Sequence, residues 1–125
     1  MTRISHRETA VSFLKLAALG NVREAYSKYV GANFQHHNPF FRGDRESLML
    51  AMQENATQNP NKKLEVKLSL EDKGLVATYS HVQQNPRDPG AAVVHIFRFE
   101  GDRIVEMWDI GQAIPEDSPN QNGMF

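Results

Sequence analysis

The sequence predicts an α+β fold in which three N-terminal helices pack on one side of a strongly curved antiparallel sheet. Two patterns carry that expectation. Apolar residues recur at helical spacing through the first half of the chain, and alternation at period two replaces them in the second half. A third observation bounds it: 125 residues without an internal repeat or linker fit one domain spanning 1–125.

The first helix opens at Ser5, with Glu8 at capping-box spacing, so that each side chain can satisfy a free N–H. Val11, Leu14 and Ala18, flanked by Phe13 and Ala17, supply its apolar side. Gly20 ends it, because glycine takes the left-handed cap conformation cheaply. Asn21 and Glu24 then start a second short helix carrying Val22, Ala25, Tyr26 and Tyr29, which Gly31 stops. Residues Asn33–Gly43 break the period, and Asn38-Pro39 starts a turn. Asp44 caps a third helix with Leu48, Ala51 and Met52 on one side, fading from Asn55 to Pro60.

From Lys63 the chain alternates. Leu64, Val66, Leu68 and Leu70 share one face of a half-buried strand, and Glu71–Gly74 turns it back. Leu75–Gln84 follows, with Leu75, Ala77, Tyr79 and His81 on one face and Val76, Thr78, Ser80 and Val82 on the other. After the connection Pro86–Gly90, Ala91–Glu100 and Arg103–Ile110 form a last hairpin across Gly101-Asp102. The polar tail ends Gly123-Met124-Phe125, an apolar finish suited to folding back on the body. A curved sheet under helices leaves a cavity between them, which is where a ligand fits.

Composition excludes several classes. Fourteen Lys and Arg against fifteen Asp and Glu give a net charge of −1, which argues against an extended nucleic-acid surface, since that needs a basic stripe. Zero cysteines exclude disulfides and thiolate chemistry. The polar start Met1–Glu8 and the absence of a long apolar run predict a soluble cytoplasmic protein without a membrane segment. No phosphate loop, dinucleotide glycine pattern or nucleophile elbow is present, and nothing calls for a cofactor.

Four groups could carry chemistry: His36-His37-Asn38, His81, His95 and Trp108-Asp109. Asp109 sits among apolar neighbours, where desolvation favours a protonated carboxyl and so a proton carrier; a solvated strand-end aspartate is the plainer alternative. His95, inside Ala92–Phe97, could donate to a developing oxyanion or be a satisfied core histidine. Register decides whether they meet. A simple turn with Glu100 opposite Arg103 puts His95 opposite Trp108, whereas a single bulge brings His95 and Asp109 to one face. His36 and His37 are adjacent and diverge in extended chain, and no metal-ligand spacing exists, so no metal is expected. Tyr79 and His81 share a face, as pocket wall or core. Phe34, Phe40, Phe41 and Trp108 suit an apolar or aromatic ligand, or simply the core.

Two segments together resemble the SnoaL-like branch of the nuclear transport factor 2-like superfamily. His37-Asn38-Pro39 is similar to its "Q-H-N-P" element, with His36 in place of glutamine. Val94–Gln112 is similar to its closing hairpin "V-H-x-F-R-x-x-x-x-K-I-V-E-x-W-D-x-x-Q". The tail from Pro115 to Phe125 is similar as well. The resemblance implies a cone-shaped α+β barrel that dimerises through the outer sheet face, for which Val76, Val94 and Ile96 are candidates. It implies a cofactor-independent lyase or isomerase of the polyketide cyclase or ketosteroid isomerase type. Asp109 is then the acid/base, with His95 or His37 assisting, on a small apolar or aromatic carbonyl-containing molecule. Phe34, Asn38, Phe40, Tyr79, His81, Trp108 and Gln112 are the expected substrate contacts. The competing expectation is a non-catalytic binding or interaction module with the same pocket.

Overall fold

The computed structural model describes residues 4–125, so the polar opening Met1–Arg3 lies outside the described residues. Helix α1 (His6–Ala18) starts at Ser5, whose hydroxyl oxygen accepts from the Glu8 N–H at 3.1 Å. The Glu8 carboxylate answers by accepting from the Ser5 hydroxyl rather than from a backbone N–H. The buried stripe is Ala10, Phe13, Leu14 and Ala17, turned slightly from the expected one, since Val11 and Ala18 are only half-buried. Helix α2 (Val22–Tyr29) begins after Asn21, whose side chain makes no capping bond. Helix α3 (Arg45–Gln58) is capped by Asp44, which accepts from Ser47 N–H at 2.9 Å.

Five strands form one sheet in the order β1-β5-β4-β3-β2: β1 Val30–His36, β2 Lys63–Asp72, β3 Leu75–Gln83, β4 Ala91–Glu100 and β5 Arg103–Ala113. The sheet curls under the helices without closing. Strand β1 was not expected, and it makes the sheet mixed, because β1 runs parallel to β5. Gly31 therefore does not simply stop α2. The chain passes directly from Tyr29 into a strand that buries Val30, Phe34 and His36. Parallel pairing is available because α3 and two strand hairpins separate β1 from β5 in the chain.

Two bulges set which side chains face inward. In β2 the pairing jumps from Val66–Ser80 to Leu68–Tyr79, leaving Lys67 as the extra residue. Leu64 and Val66 thus face the helices, while Leu68 and Leu70 turn to the outer face and are exposed. The expected face of three leucines and one valine is divided in two. In β5 the pairing jumps from Phe99–Ile104 to Arg98–Glu106, leaving Val105 extra. Glu100 still opposes Arg103, yet every residue beyond the bulge changes face.

The core lies between the helices and the inner sheet face. Phe13 meets both Tyr26 and Phe97 edge-on, at 5.4 and 6.0 Å between ring centroids. Val76, Ile104 and Met107 fill the space around them. Burying each such side chain contributes about 1.5–3 kcal/mol. Val76 is thus a core residue and no part of the outer face, where Val94 and Ile96 do lie. The tail folds back on that outer face: the Tyr79 hydroxyl donates to the Met124 carbonyl, and the Phe125 ring packs on Tyr79 and His81. Among the described residues no helix is long and apolar enough to cross a membrane.

Candidate active site

A cavity of about 290 Å³ opens between α1, α3 and the inner face of the sheet. Its floor is apolar, with Phe13, Leu14, Val93 and Met107 among the lining residues. Its polar groups are few: Asn38, Asn55, Lys62, Gln84, His95 and Asp109. An apolar hollow with a handful of converging polar groups is the usual form of a small-molecule site.

The Val105 bulge is what assembles its centre. Beyond it, His95 on β4 lies directly opposite Asp109 on β5, both facing the cavity. His95 Nε2 stands 3.8 Å from Asp109 Oδ1, close enough for charge to be felt and longer than a hydrogen bond. Asp109 Oδ2 accepts from the Asn38 amide at 3.0 Å.

Asn38 is itself held in place. Asn38-Pro39-Phe40-Phe41 forms a turn in which Phe41 N–H donates to the Asn38 carbonyl and Phe40 N–H to Asn38 Oδ1. Proline at the second turn position presets the backbone, and the Asx bond fixes which way the amide points. Behind the turn, His36 Nδ1 accepts from Asn38 N–H at 3.1 Å while Nε2–H donates to the Arg42 carbonyl. His36 does not line the cavity; it braces the turn that holds Asn38.

Burial pushes the His95 imidazole below its ordinary value, and Lys62 pushes the same way, while the Asp109 carboxylate opposes them. His95 is therefore a neutral imidazole near pH 7, with one N–H to give. Its Nδ1 is buried and has no hydrogen-bond partner among the described residues. Burial also lowers Lys62, against the pull of Asp109.

The other expected site residues lie elsewhere. His37 points to the outer face, where its ring stacks on Trp108 at 5.0 Å and its Nε2–H donates to Glu106 at 2.6 Å. Neighbouring residues of an extended chain diverge, so His37 and the inward His36 cannot both face the cavity. Glu106 is held below the usual carboxylate range by His37 and then by Arg98. Trp108 and Gln112 flank Asp109 and Gly111 on the strand and so face outward. Tyr79 and His81 sit under the tail, and His81 Nε2–H donates to the Pro89 carbonyl. Phe34 is core, edge-on to Tyr26, and Phe40 is 84% exposed at the turn tip. Among the seven expected substrate contacts, Asn38 alone lines the cavity. Phe41 lines it too, while Lys62, Asn55 and Gln84 were not anticipated. Among the described residues no group of three or more His, Asp or Glu side chains is arranged to hold a metal.

No protein-family model matches the chain, and no curated protein matches it by sequence. Solved structures do match its fold. An NTF2-like protein of unknown function from Cytophaga hutchinsonii superposes with a TM-score of 0.72 at 20% identity, covering 89% of this chain and 93% of the other. A protein named "putative polyketide cyclase" from Acidithiobacillus ferrooxidans gives 0.71 at 17% identity, covering 90% and 92%. A "putative isomerase of the SnoaL-like family" from Agrobacterium tumefaciens gives 0.71 at 9% identity, covering 88% and 100%. The chain thus has the NTF2-like α+β cone fold, and its structural neighbours are NTF2-like and SnoaL-like proteins.

Proposed function

We propose that the protein is a cofactor-independent enzyme acting on a small apolar or aromatic carbonyl compound, with Asp109 as its acid/base. The observation that carries this reading is the direct opposition of Asp109 and His95 on the inner wall of an apolar cavity. The Asp109 carboxylate takes a proton from a carbon beside the carbonyl. Charge then develops on the carbonyl oxygen, and the neutral His95 imidazole donates its single N–H to it. Asn38 keeps the carboxylate in place through its amide, so that little reorganisation is needed as the proton moves. The enolate either attacks a second carbonyl, closing a ring in an aldol reaction whose new alkoxide takes the proton from Asp109, or regains that proton at another carbon, giving an isomer. The names of two structural neighbours belong to these two chemistries, which supports keeping both.

Proton abstraction can be read without knowing the natural product. A panel of aryl ketones in D2O is incubated with the protein, and deuterium entering beside the carbonyl is followed by NMR. The wild type is expected to accelerate exchange for at least one ketone, and Asp109→Asn to slow that by about a hundredfold or more at unchanged folding. Equal exchange by the two proteins removes Asp109 from the mechanism.

We also propose that two copies pair through the outer sheet face. Leu68, Leu70 and Ile110 stand there 63%, 70% and 63% exposed, with Val94 and Ile96 between them. An apolar surface of this kind on one sheet face is suited to association.

A further inference from the structure

Lys62 lies in the connection between α3 and β2, half-buried, and lines the same cavity as Asp109 and His95. Its ammonium donates to Asn55 Oδ1 at 2.7 Å, which commits one of three N–H groups. Among the described residues no carboxylate stands within 4.0 Å of it. Asp109, the acid that shares the cavity, is engaged by Asn38 and faces His95. Taking an ammonium partly out of water is costly, and an amide oxygen together with an Asp109 carboxylate beyond ion-pair distance offsets only part of that cost. Asn55 does, however, restrict where the ammonium sits. The neighbouring Lys63 is exposed and lines no part of this cavity.

We propose that Lys62 is the anion-recognition residue of this cavity, and that the ligand carries a carboxylate or comparably acidic oxygen on an apolar body. This rests on reading the cavity as a small-molecule site, and it adds the substrate's charge to that reading. The two fixed charges of the cavity act in opposite directions on such a ligand. Lys62 attracts the acidic oxygen and Asp109 repels it, so the acid end is held away from the base while the apolar body lies along Phe13, Leu14, Val93 and Met107. One end-to-end orientation is thereby selected, and binding energy gathered at a remote group is used to position the reacting carbon. Gln84 also lines the cavity and adds a polar group beside the ligand body.

The test compares 2-naphthoate with its neutral relative 2-acetonaphthone by isothermal titration at pH 7.5. Wild type, Lys62→Met, Lys62→Arg and Asp109→Asn are measured in parallel. The wild type is expected to bind naphthoate at least tenfold more tightly than the ketone. Lys62→Met should lose that preference while binding the ketone as the wild type does, which shows an intact cavity. Lys62→Arg should recover part of the preference. If Lys62→Met does not fold, Lys62→Gln makes the same comparison. A naphthoate preference that survives removal of the ammonium, or is missing in the wild type, overturns the proposal. Asp109→Asn should strengthen naphthoate binding, so a lack of catalysis and a lack of anion recognition are read separately. Failure of both compounds to bind the wild type overturns this proposal together with the cavity reading beneath it.

Discussion

His95 is the residue through which acidity reaches the site. Its folded-state value lies below the unfolded one, so between the two the unfolded chain binds more protons than the native chain. The stability that follows is complete above the ordinary histidine value near 6.5 and is lost as pH falls from there through the lower folded-state value. Denaturant titrations from pH 8 to pH 5 should show stability falling on acidification, by at most about 1.4 kcal/mol per pH unit from this one group. His95→Asn should flatten that slope, and an identical slope would assign the acid sensitivity elsewhere. Asn38→Ala is a second test, since it frees the carboxylate without touching the cavity floor. Turnover should fall about tenfold to a hundredfold, judged by the deuterium-exchange rate. At this scale, Asp109, His95 and Asn38 stand out in the sequence because a polar group inside an apolar run, or before a proline, is conspicuous. Lys62 is not conspicuous: a lysine in a polar connection has the same sequence signature whether it meets solvent or a cavity. Its place is decided by how α3 hands the chain to β2.

Among the elements, the last hairpin shows how a single residue can govern a site. Gly101-Asp102 and the Glu100–Arg103 pair are legible in the sequence, but the extra residue Val105 is not, because its β-branched side chain suits a regular strand equally well. Deleting Val105 joins Ile104 to Glu106, so the turn and the later pairs Phe97–Met107 and His95–Asp109 are all kept in a regular ladder. Met107 then stays in the core and Asp109 on the cavity wall, and a denaturant series should give stability close to that of the wild type. A loss of about 2–5 kcal/mol, the usual cost of emptying a large core position, would mean that the bend at the bulge is needed to seat Met107. Strand β1 escaped notice for a different reason. Gly31, Asn33 and Gln35 leave it no alternating apolar run, and it is a strand because β5 and α3 supply its partners. Gly90, by contrast, follows from local geometry: φ is +88°, and a Cβ there would come within 2.4 Å of the Val82 carbonyl oxygen. The tail contributes more modestly. Removing Phe125 exposes Tyr79 and His81 and should cost about 1 kcal/mol or less in the same titration.

For the molecule as a whole, the helix-then-strand order was enough to predict layers and a cavity between them, while the mixed sheet and its open edges depend on contacts distant in sequence. The outer face gives the test at this scale. Light scattering should report a dimer at micromolar concentration, and Ile110→Glu should shift it to monomer without altering naphthoate binding. A wild-type monomer removes the pairing. The position of β5 between β4 and β1 has a further consequence, for synthesis. Its hairpin with β4 closes locally, but Val30 must wait for Ile104 to be made before it gains its partner. Such distant closure is slow compared with forming helices. A nascent chain that still lacks β5 therefore has three helices, an unpartnered first strand and no Asp109 at its cavity, so the inner wall is completed only once β5 is made.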